Sequence, residues 1–458
     1  MLFMLLACTD TVPVDTAPST LSDSSAVSDS GGETTPDDSG PDTTGAITDI
    51  TVSLSPEIAS VFTVTWKSDL TDGVVHFGVG EQTVGTATGV LEDGTWSAVV
   101  VGIPADTTGW YVVAHSEASS ETLPITTGGL IKGFPAPVEV SGDLEGYTLT
   151  TFLARGEAKM QPVVLNGQGE LVWWHTYDED REWFSSRVRL SADQKSIYYN
   201  AYHITLSEPQ SFAGIIKVSL DGTAVETIPL PENHHDFLIL EDGTIAYIKF
   251  DRREVDGMLV AGDAIIERAP DGTETTIWST WNNLTWDGKG MVREEGVFWT
   301  LANNLEYNAD QDAYILGARD RNAIFHIDRS TGATDWILGS SATTLTQTDT
   351  FLGQHGFHLD GDDLLVFDNL GASGQSRVIR YTIASESATT TWLHENEPLM
   401  LTEYFGDVLP LSGDRLLVAW GQGGRLSVLD SAHNTSSERA WELGTGIGFV
   451  TQEPALTP

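Results

Sequence analysis

The sequence predicts an all-β protein in which a disordered acidic linker and a small β-sandwich precede a six-bladed β-propeller. Three observations support this fold class. Apolar and polar residues alternate with period two over most of the 458 residues, and the alternating runs end in Gly, Asp and Pro turns. A unit of two strands around a polar turn then recurs six times at intervals of roughly 50 residues, the period of a four-stranded propeller blade.

The charge of the chain is strongly one-sided. It holds 66 Asp and Glu residues against 23 Lys and Arg residues, which gives a formal net charge of -43. A field of this sign repels nucleic acid and anionic lipid headgroups, so we expect no nucleic-acid partner. A solubilising surface on a secreted protein and adaptation to salty surroundings both explain the acidity, and the sequence does not separate them.

Residues 1–8 resemble the lipobox that ends a bacterial lipoprotein signal peptide. The stretch "MLFMLLAC" is a short apolar run with an aliphatic residue three places before Cys8. Cys8 is the single cysteine of the chain, so it cannot form an internal disulfide. We therefore predict lipidation of Cys8, attachment to the bacterial cell envelope at its periplasmic face or the cell surface, and membrane contact through the lipid anchor only. The basic segment that normally precedes such a run is missing, and a buried free cysteine is the alternative.

Residues 9–46 are predicted to be a disordered tether. This segment consists mainly of Ser, Thr, Asp, Pro and Gly, with almost no large apolar side chains. It cannot bury enough surface to offset the entropy of ordering. Repulsion between its acids keeps it extended and holds the folded part away from the membrane.

Residues 47–130 are predicted to form a small antiparallel β-sandwich. Short period-two strands such as "VFTVTWKSD", "GVVHFGVG" and "GWYVVAHS" follow one another between turns. The first two stretches resemble a fibronectin type III-like domain, with Trp66 as the expected core residue. We interpret His76 and His115 as ordinary strand residues.

Residues 135–458 are predicted to form the propeller. Hairpins such as "PVVLNGQGELVWW" and "AIFHIDRSTGATDWIL" alternate with a second kind, such as "HHDFLILEDGTIAYI" and "QHGFHLDGDDLLVF". Counting seven residues back from the acidic turn of the second kind reaches Ser186, His235, Asn303 and His355. Equivalent positions of successive blades face the same axis, so we expect these side chains to meet at one mouth of the central channel.

Two other readings of these residues stay open. His355 could instead cap the acidic loop 360–363, while His358 is expected to face away from His355. The acidic turns and the "HHD" stretch look like metal ligands, but the turns lack EF-hand spacing and neighbours on a strand point to opposite faces. We therefore predict no metal site and no cofactor.

Several motifs of the propeller resemble the bacterial arylsulfate sulfotransferase family. They are "HHDF" at 234–237, "LANN" at 301–304, "GARDRNAIFHIDRSTGATDWILG" at 317–339 and "QHGFHLDGDDLLVFDN…SR" from 354 to 377. These motifs keep the order of the family and cover most of the propeller. The resemblance implies an envelope enzyme that moves a sulfuryl group from an aryl sulfate to a phenol without a nucleotide donor.

The resemblance also implies roles for individual residues. His355 matches the histidine that becomes sulfated during the reaction. The side chains of His235, Asn303 and Arg319 match residues that bind the sulfuryl oxygens. A supporting set behind them, which is either structural or holds the site in place, comprises Asp368, Asn369 and Arg377. The implied ligands are a small aryl sulfate and a phenol, and the sequence leaves the oligomeric state unknown.

One family position departs from the pattern. The family has a histidine two places before its asparagine, where this chain has Leu301 or, in the next register, Ala302. A group for proton transfer is therefore missing, which on its own costs about a hundredfold in rate. The sequence offers no clear replacement, because His234 should point away and His326 requires unusual blade geometry. The alternative function is a catalytically inactive propeller that acts as a ligand-binding or envelope-interaction lipoprotein.

Overall fold

The computed structural model describes residues 46–130, 134–153, 160–176, 184–206, 213–339, 343–371, 374–396, 399–442 and 444–456. The predictions for the signal at 1–8, for Cys8 and for the tether at 9–46 lie outside the described residues, except for Ala46. Strands dominate the described part, where one short α-helix and two 3-10 turns are the helical elements. The predicted all-β fold class is confirmed.

Two antiparallel sheets of four strands each form the first folded unit. Their strand orders are β1-β2-β6-β5 and β4-β3-β7-β8. The strands are β1 (Thr48–Leu54), β2 (Phe62–Lys67), β3 (Val74–Val79), β4 (Gln82–Thr88), β5 (Val90–Glu92), β6 (Thr95–Val100), β7 (Thr108–Ala114) and β8 (Leu123–Thr126). Burial alternates along β2 and β6 because one face of each strand packs into the core. Trp66 is fully buried at its centre.

Residues 139–453 fold into six further sheets in chain order. Sheet 1 contains β10 (Tyr147–Leu153), β11 (Gln161–Asn166) and β12 (Leu171–Trp174), and sheet 2 contains β13 (Val188–Leu190), β14 (Ser196–Ala201), β15 (Gly214–Ser219) and β16 (Val225–Pro229). Sheet 3 contains β17 (Asn233–Ile239), β18 (Ile245–Val255), β19 (Met258–Arg268), β20 (Glu274–Ser279), β21 (Met291–Arg293) and β22 (Gly296–Phe298), with the helix α1 (Thr280–Asn283).

The remaining three sheets complete the set. Sheet 4 contains β23 (Ala302–Asn308), β24 (Ala313–Ala318), β25 (Ala323–Asp328) and β26 (Thr334–Gly339), with a 3-10 turn at Arg319–Arg321. Sheet 5 contains β27 (Thr346–Gln347), β28 (Phe357–Asp360), β29 (Asp363–Asp368), β30 (Arg377–Ala384) and β31 (Ser387–Glu395). Sheet 6 contains β32 (Asp407–Leu411), β33 (Arg415–Ala419), β34 (Arg425–Leu429) and β35 (Thr435–Ala440), with a 3-10 turn at Gly421–Gly423.

The two ends of this region interlock and close the ring of sheets. The C-terminal strands β36 (Gly446–Ile447) and β37 (Thr451–Glu453) pair with β10 of sheet 1, and the N-terminal strand β9 (Glu139–Ser141) pairs with β35 of sheet 6. Each of the two end sheets therefore contains strands from both ends of the region. The fully buried Arg439 reinforces this closure by donating to the backbone oxygens of Ser141 (2.6 Å) and Gly142 (3.1 Å).

Short polar turns set the hairpins of the ring. In the turn at 242–244, Asp242 Oδ1 accepts a hydrogen bond of 2.9 Å from the backbone N–H of Thr244, while Gly243 adopts a φ of +82°. A side chain at Gly243 would be strained in that left-handed conformation. The turn at 271–273 repeats the arrangement with a 2.9 Å bond from Thr273 to Asp271. Both of these acids therefore cap their own turns.

The sandwich rests directly on the ring. Ser60 Oγ donates to the backbone oxygen of Val172 (2.7 Å), and the backbone N–H of Ala105 donates to Leu171 (3.1 Å). Ile58 and Val61 belong to the same apolar cluster as the core of sheet 1. The first strands of neighbouring sheets contact one another from sheet 3 to sheet 6, as β17 with β23, β23 with β28 and β28 with β32. His235, Asn303 and His355 lie in or beside these strands.

Candidate active site

His355 lies in the loop that enters β28, with its ring enclosed by aromatic side chains. The imidazole stacks on Phe449 at 4.7 Å between centroids and meets Phe405 edge-on at 6.0 Å. Only 6% of the residue is exposed. Its Nδ1 atom is buried and has no hydrogen-bond partner among the described residues. An unpaired buried nitrogen is uncommon in a folded protein, and it marks this ring as a candidate for chemistry.

Amide side chains from sheet 4 hold the loop around His355. Asn303 Nδ2 donates to the backbone oxygen of Gln354 (2.8 Å), and Asn304 Nδ2 donates to that of Phe357 (3.1 Å). Both asparagines reach inward because the pairing register shifts between Ala302 and Asn304, which breaks the normal alternation of the strand. Asn303 was predicted to bind substrate. Its Nδ2 instead donates to the backbone beside His355, while its Oδ1 has no partner among the described residues.

Arg319 approaches the same place from the 3-10 turn after β24. Its Nη1 pairs with Asp320 Oδ1 at 3.1 Å, and its guanidinium lies 5.4 Å from the ring centre of Tyr404. Gln354 links this turn to the His355 loop, because its Nε2 donates to the backbone oxygens of Ala318 (3.2 Å) and Ala323 (2.9 Å) on either side of the turn. Arg319 and His355 are therefore positioned by one shared set of contacts.

Burial and nearby cations keep His355 neutral. Loss of hydration lowers the pKa of His355 to about 3, and the positive charges of Arg319 and Arg187 act in the same direction. Burial also holds the pKa of His235 well below its usual value, with further contributions from His234, His355 and Arg319. These mutual effects place His355, His235 and Arg319 within range of one another's charges. The seven-residue spacing named His235 and His355, whereas Arg319 was named by the family resemblance.

His234 and His235 do not diverge, so that prediction was wrong. Their Nδ1 atoms are 2.8 Å apart, and their rings meet edge to face with centroids at 5.1 Å. The register of β17 shifts between Asn233 and Phe237, and His235 takes a φ of +54°. This bulge cancels the alternation on which the prediction relied.

His234 in turn contacts a buried carboxylate. Its Nε2 lies 3.1 Å from Asp263 Oδ1, and Phe250 stacks on its ring at 3.7 Å. The Oδ2 atom of Asp263 accepts hydrogen bonds from the hydroxyl of Thr300 and from the backbone N–H of Ala302 (2.7 Å). The segment 300–302, where the family has a histidine that this chain lacks, is therefore hydrogen-bonded to Asp263, the carboxylate that contacts His234. Leu301 itself packs in an apolar cluster with Phe250.

A buried ion-pair network beneath the site was missed from the sequence. Nε and Nη2 of Arg187 donate to the two carboxylate oxygens of Asp236, at 3.0 Å each, and its Nη1 lies 3.6 Å from Asp407. Its guanidinium also lies 4.0 Å from the ring centre of Phe449, which stacks on His355. The sequence held a sign of this ion pair, because Arg187 and Asp236 directly follow Ser186 and His235, two of the residues reached by the seven-residue count.

The three predicted supporting residues lie around the His355 loop. Arg377 Nε pairs with Asp368 Oδ2 at 2.8 Å, and Asp368 Oδ1 accepts from the backbone N–H of Leu352 (2.9 Å). Burial raises the pKa of Asp368. Asn369 Nδ2 donates to the backbone oxygens of Thr402 (2.8 Å) and Phe405 (2.7 Å). These contacts fix the chain on both sides of His355 without touching its ring.

Two other histidines lie outside the site. His326 cannot replace the missing histidine, because its Nδ1 pairs with Asp335 (2.9 Å) and its Nε2 contacts Gln311 (2.8 Å). His358 points away from His355, as predicted, and its Nδ1 lies 2.5 Å from Glu306. Burial opposes protonation of His358, but the carboxylate of Glu306 outweighs it, and the net pKa is raised.

The described ranges contain no group of three or more His, Cys, Asp or Glu side chains placed to hold a metal ion. Within the same ranges, no helix is long and apolar enough to cross a membrane.

Comparison with known proteins decides the family. The family model described as "Arylsulfotransferase (ASST)" matches residues 141–397, which is more than half of the chain. The chain belongs to the arylsulfotransferase family. This membership supports a sulfotransferase enzyme, with aryl sulfates and phenols as the implied substrates. A search of curated protein sequences found no significant match to this arylsulfotransferase.

Solved structures similar to this arylsulfotransferase are distant. A protein of unknown function from Bacteroides caccae is 14% identical, with 67% of this chain and 98% of that chain covered and a TM-score of 0.45. The periplasmic gluconolactonase of Pseudomonas aeruginosa is 11% identical, with 67% and 99% covered and a TM-score of 0.40. A catalytically inactive virginiamycin B lyase from Staphylococcus aureus with quinupristin is 14% identical, with 68% and 86% covered and a TM-score of 0.39.

Proposed function

We propose that the protein transfers a sulfuryl group from an aryl sulfate to a phenolic acceptor through a covalent sulfohistidine at His355. The observation that carries this proposal is the state of the His355 ring, which is buried, neutral and unpaired at Nδ1 beside the guanidinium of Arg319. A neutral imidazole is a good nucleophile near pH 7, and its sulfuryl adduct is labile. No nucleotide donor or cofactor enters this scheme.

The donor half of the reaction forms one bond and breaks one. A nitrogen of His355 attacks the sulfur of the aryl sulfate, and the bond between sulfur and the aryl oxygen breaks. The aryl oxygen leaves with the bonding electron pair and takes a proton from His235. In the acceptor half, a phenol gives its proton to His235 while its oxygen attacks the sulfur, and the bond from sulfur to His355 breaks. The neutral His355 is then restored.

Arg319 is suited to stabilise the charge on the sulfuryl oxygens. Catalysis of such a transfer depends on positioning and on cations or donors aimed at the moving group, by analogy with phosphoryl transfer. The chain has a formal net charge of -43, so an anionic donor needs a local cation to enter. Arg187 is already paired with Asp236 and with Asp407. Among the described residues, Arg319 has one carboxylate contact, from its Nη1 to Asp320 at 3.1 Å, and a longer contact from its Nη2 to the backbone oxygen of Glu403 at 3.4 Å. The guanidinium of Arg319 has further N–H groups with which to bind a ligand.

The surroundings of His355 also suit an aromatic substrate. Phe405 and Phe449 flank the imidazole, while Tyr202 lies 5.4 Å from the ring of His235. Aromatic side chains pack favourably against aryl rings in offset or edge-on arrangements. Together they favour an aryl sulfate over an alkyl sulfate as donor.

The location of the enzyme is part of the same proposal. A lipid on Cys8 and an extended acidic tether at 9–46 place the catalytic ring at the bacterial cell envelope, at its periplasmic face or the cell surface. The motif at 5–8 supports this placement. Mass spectrometry of the full-length protein from its native membrane tests it, since an unmodified Cys8 contradicts the anchor.

Intact-mass analysis after brief mixing with 4-nitrophenyl sulfate tests the reaction. The expected result is a gain of one SO₃ group that maps to His355 and disappears when phenol is added. A His355→Ala variant should gain no mass and release no nitrophenol. As a matched control, His358→Gln lies in the same strand region but faces Glu306, and it should still form the adduct.

Two outcomes contradict the proposal. Folded wild-type protein that forms no adduct and releases no nitrophenol would leave the inactive binding propeller as the better description. An adduct that maps to another residue would show that a different nucleophile is used. Far-ultraviolet circular dichroism of every variant confirms that each sample is folded.

A further inference from the structure

Behind His235 lies a buried acid and imidazole pair that the reaction above does not use. Asp263 and His234 are both 0% exposed, and His234 Nε2 lies 3.1 Å from Asp263 Oδ1, an ion-pair contact in which neither atom makes an aligned hydrogen bond among the described residues. His234 Nδ1 then contacts His235 Nδ1 at 2.8 Å. Three titratable groups thus form a continuous line from the interior of sheet 3 to the site.

We propose that Asp263, His234 and His235 form a proton relay that serves both halves of the transfer. The proposal rests on the sulfuryl transfer described above. In it, His235 exchanges a proton with the aryl oxygen, while His234 and Asp263 act as positioning residues through His235. A chain of this kind supplies the proton-transfer group that is lost at Leu301.

The hydrogen-bond partners of Asp263 set the direction of the relay. An ionised carboxylate can only accept hydrogen bonds, and its Oδ2 already accepts from Thr300 and from the N–H of Ala302. The hydrogen on the side of His234 that faces Asp263 is therefore on Nε2. The relay then has two states. In the neutral state, Nδ1 of His234 accepts from Nδ1–H of His235, and Nε2 of His235 is a base toward the site. With one more proton, His234 is an imidazolium beside Asp263, its Nδ1–H donates to Nδ1 of His235, and Nε2–H of His235 is an acid toward the site.

The proton movements balance in both halves. When the acceptor phenol loses its proton to Nε2 of His235, the Nδ1 proton of His235 passes to Nδ1 of His234. His234 then carries a positive charge directly beside the carboxylate of Asp263. The donor half starts from the protonated relay. Nε2–H of His235 gives its proton to the aryl oxygen that leaves the donor, the Nδ1 proton of His234 passes to Nδ1 of His235, and the relay stays neutral until the acceptor half returns the proton. The carboxylate thus stabilises an imidazolium and holds the tautomer, as in the acid–base part of a catalytic triad.

Packing keeps the relay rigid and dry. Phe250 stacks on the His234 ring with an interplanar angle of 16°, and Leu301 and Phe298 pack with Phe250 in one apolar cluster. His235 holds a φ of +54°, which is strained for a residue with a side chain. Such strain persists when surrounding contacts over-determine the geometry, and here it is what turns both histidine rings toward each other.

The dependence on the leaving group distinguishes a relay from a structural role. 4-Nitrophenolate leaves without needing a proton, whereas phenolate is a strong base, with a conjugate acid like that of tyrosine at a pKa of about 10. We therefore measure adduct formation at His355 from 4-nitrophenyl sulfate and from phenyl sulfate, in the wild type and in His234→Gln and Asp263→Asn. General acid assistance is worth about 10²-fold or more. Both variants should slow the phenyl sulfate reaction at least about tenfold more than the nitrophenyl sulfate reaction.

Asp263→Asn gives a second, independent readout. Its amide can still accept from Thr300 and Ala302 but must donate toward His234, which reverses the chain of hydrogen bonds and places a hydrogen on Nε2 of His235. His235 is then no base, so transfer from sulfated His355 to phenol should slow by about 10²-fold or more. The matched control is His326→Gln, which breaks a different histidine–carboxylate pair, with Asp335, and should change neither reaction.

The outcomes separate the two proposals. If the wild type forms the His355 adduct but both variants slow the two donors equally, the relay is wrong and the sulfuryl transfer stands. If the folded wild type forms no adduct from either donor, the proposed function fails and the relay fails with it. A larger loss with phenyl sulfate in both variants supports the relay.

Discussion

Two buried histidines, one in the sandwich and one in the ring of sheets, differ in what their nitrogens contact. His115 is 8% exposed, its Nε2 accepts from Trp66 Nε1 (2.9 Å), and its Nδ1 contacts the backbone oxygen of Thr71 (2.8 Å). His355 is 6% exposed, and its buried Nδ1 has no partner among the described residues. Burial alone therefore does not distinguish the two histidines, whereas the hydrogen bonding of their Nδ1 atoms does.

Replacing each of the two histidines by alanine should give the largest difference in sulfuryl transfer. His355→Ala should lower sulfuryl transfer by about 10³-fold or more, because the nucleophile is gone. His115→Ala should leave transfer unchanged but lower the free energy of unfolding by about 1–3 kcal/mol, since Trp66 Nε1 loses its buried partner. Steady-state nitrophenol release and urea denaturation measure the two effects. Loss of transfer in His115→Ala at full folding would contradict the distinction.

Removing the positive charge of Arg319 should give the next largest effect on sulfuryl transfer. Arg319→Ala should reduce transfer by about 10²- to 10³-fold, the effect of deleting one strong donor to a charged transition state. Arg319→Lys should restore only part of the rate, because a lysine lacks the planar fork of arginine. Arg321→Ala is the matched control on the same turn, where the side chain pairs with Asp287. Equal rates in the Arg319 and Arg321 variants would exclude a role for Arg319 in binding the sulfuryl group.

The two regions should also differ in their tolerance of a single methyl group. A Cβ at Gly356, beside His355, would lie 2.0 Å from Asp407 Oδ1 and 2.6 Å from its Cα, whereas Gly129 at the end of the sandwich has open space. Gly356→Ala should cost about 1–3 kcal/mol of unfolding free energy, and Gly129→Ala almost none. Thermal and urea unfolding check both values. Wild-type stability in Gly356→Ala would mean that the His355 loop moves away from Asp407 freely.

A pH series gives the smallest expected effect. Burial lowers the pKa of His355 to about 3, while an unfolded histidine titrates near about 6.5. Between these pH values the unfolded chain binds a proton at this histidine and the native protein does not. The stability due to neutral His355 is therefore complete above about pH 6.5 and decreases as the pH falls toward about 3. The His355→Ala variant should lose about 1–2 kcal/mol less than the wild type between pH 7 and pH 5. Parallel stability curves for the two proteins would contradict the low pKa.

The sequence predicted the convergence at the site but not how individual side chains are used. A seven-residue count within a repeated hairpin placed His235 and His355 at equivalent positions, and the structure brings both beside Arg319. The same count placed Asn303 there, yet the Nδ2 of its amide bonds to the backbone of Gln354. Repeat spacing predicts where a Cα lies, but not which of several polar neighbours a side chain will contact.

The alternation rule failed at two bulges. It assigned His234 and His235 to opposite faces, and simple alternation also does not account for the burial of both Asn303 and Asn304. In both strands the register shifts at these residues, and His235 and Leu301 take positive φ values of 54° and 42°. Such bulges depend on contacts made by neighbouring sheets, so the local sequence does not reveal them.

The sequence by itself determined the all-β class and the repeating hairpins, because strand alternation and turn residues act over a few neighbouring positions. It also carried the family motifs around His355. Only the tertiary structure decided the unpaired Nδ1 atom of His355, the ion pair of Arg187 with Asp236 and the line from Asp263 through His234 to His235. Each of these features depends on side chains from different strands or sheets. Burial shifts the pKa of such a side chain only after distant parts of the chain have packed around it.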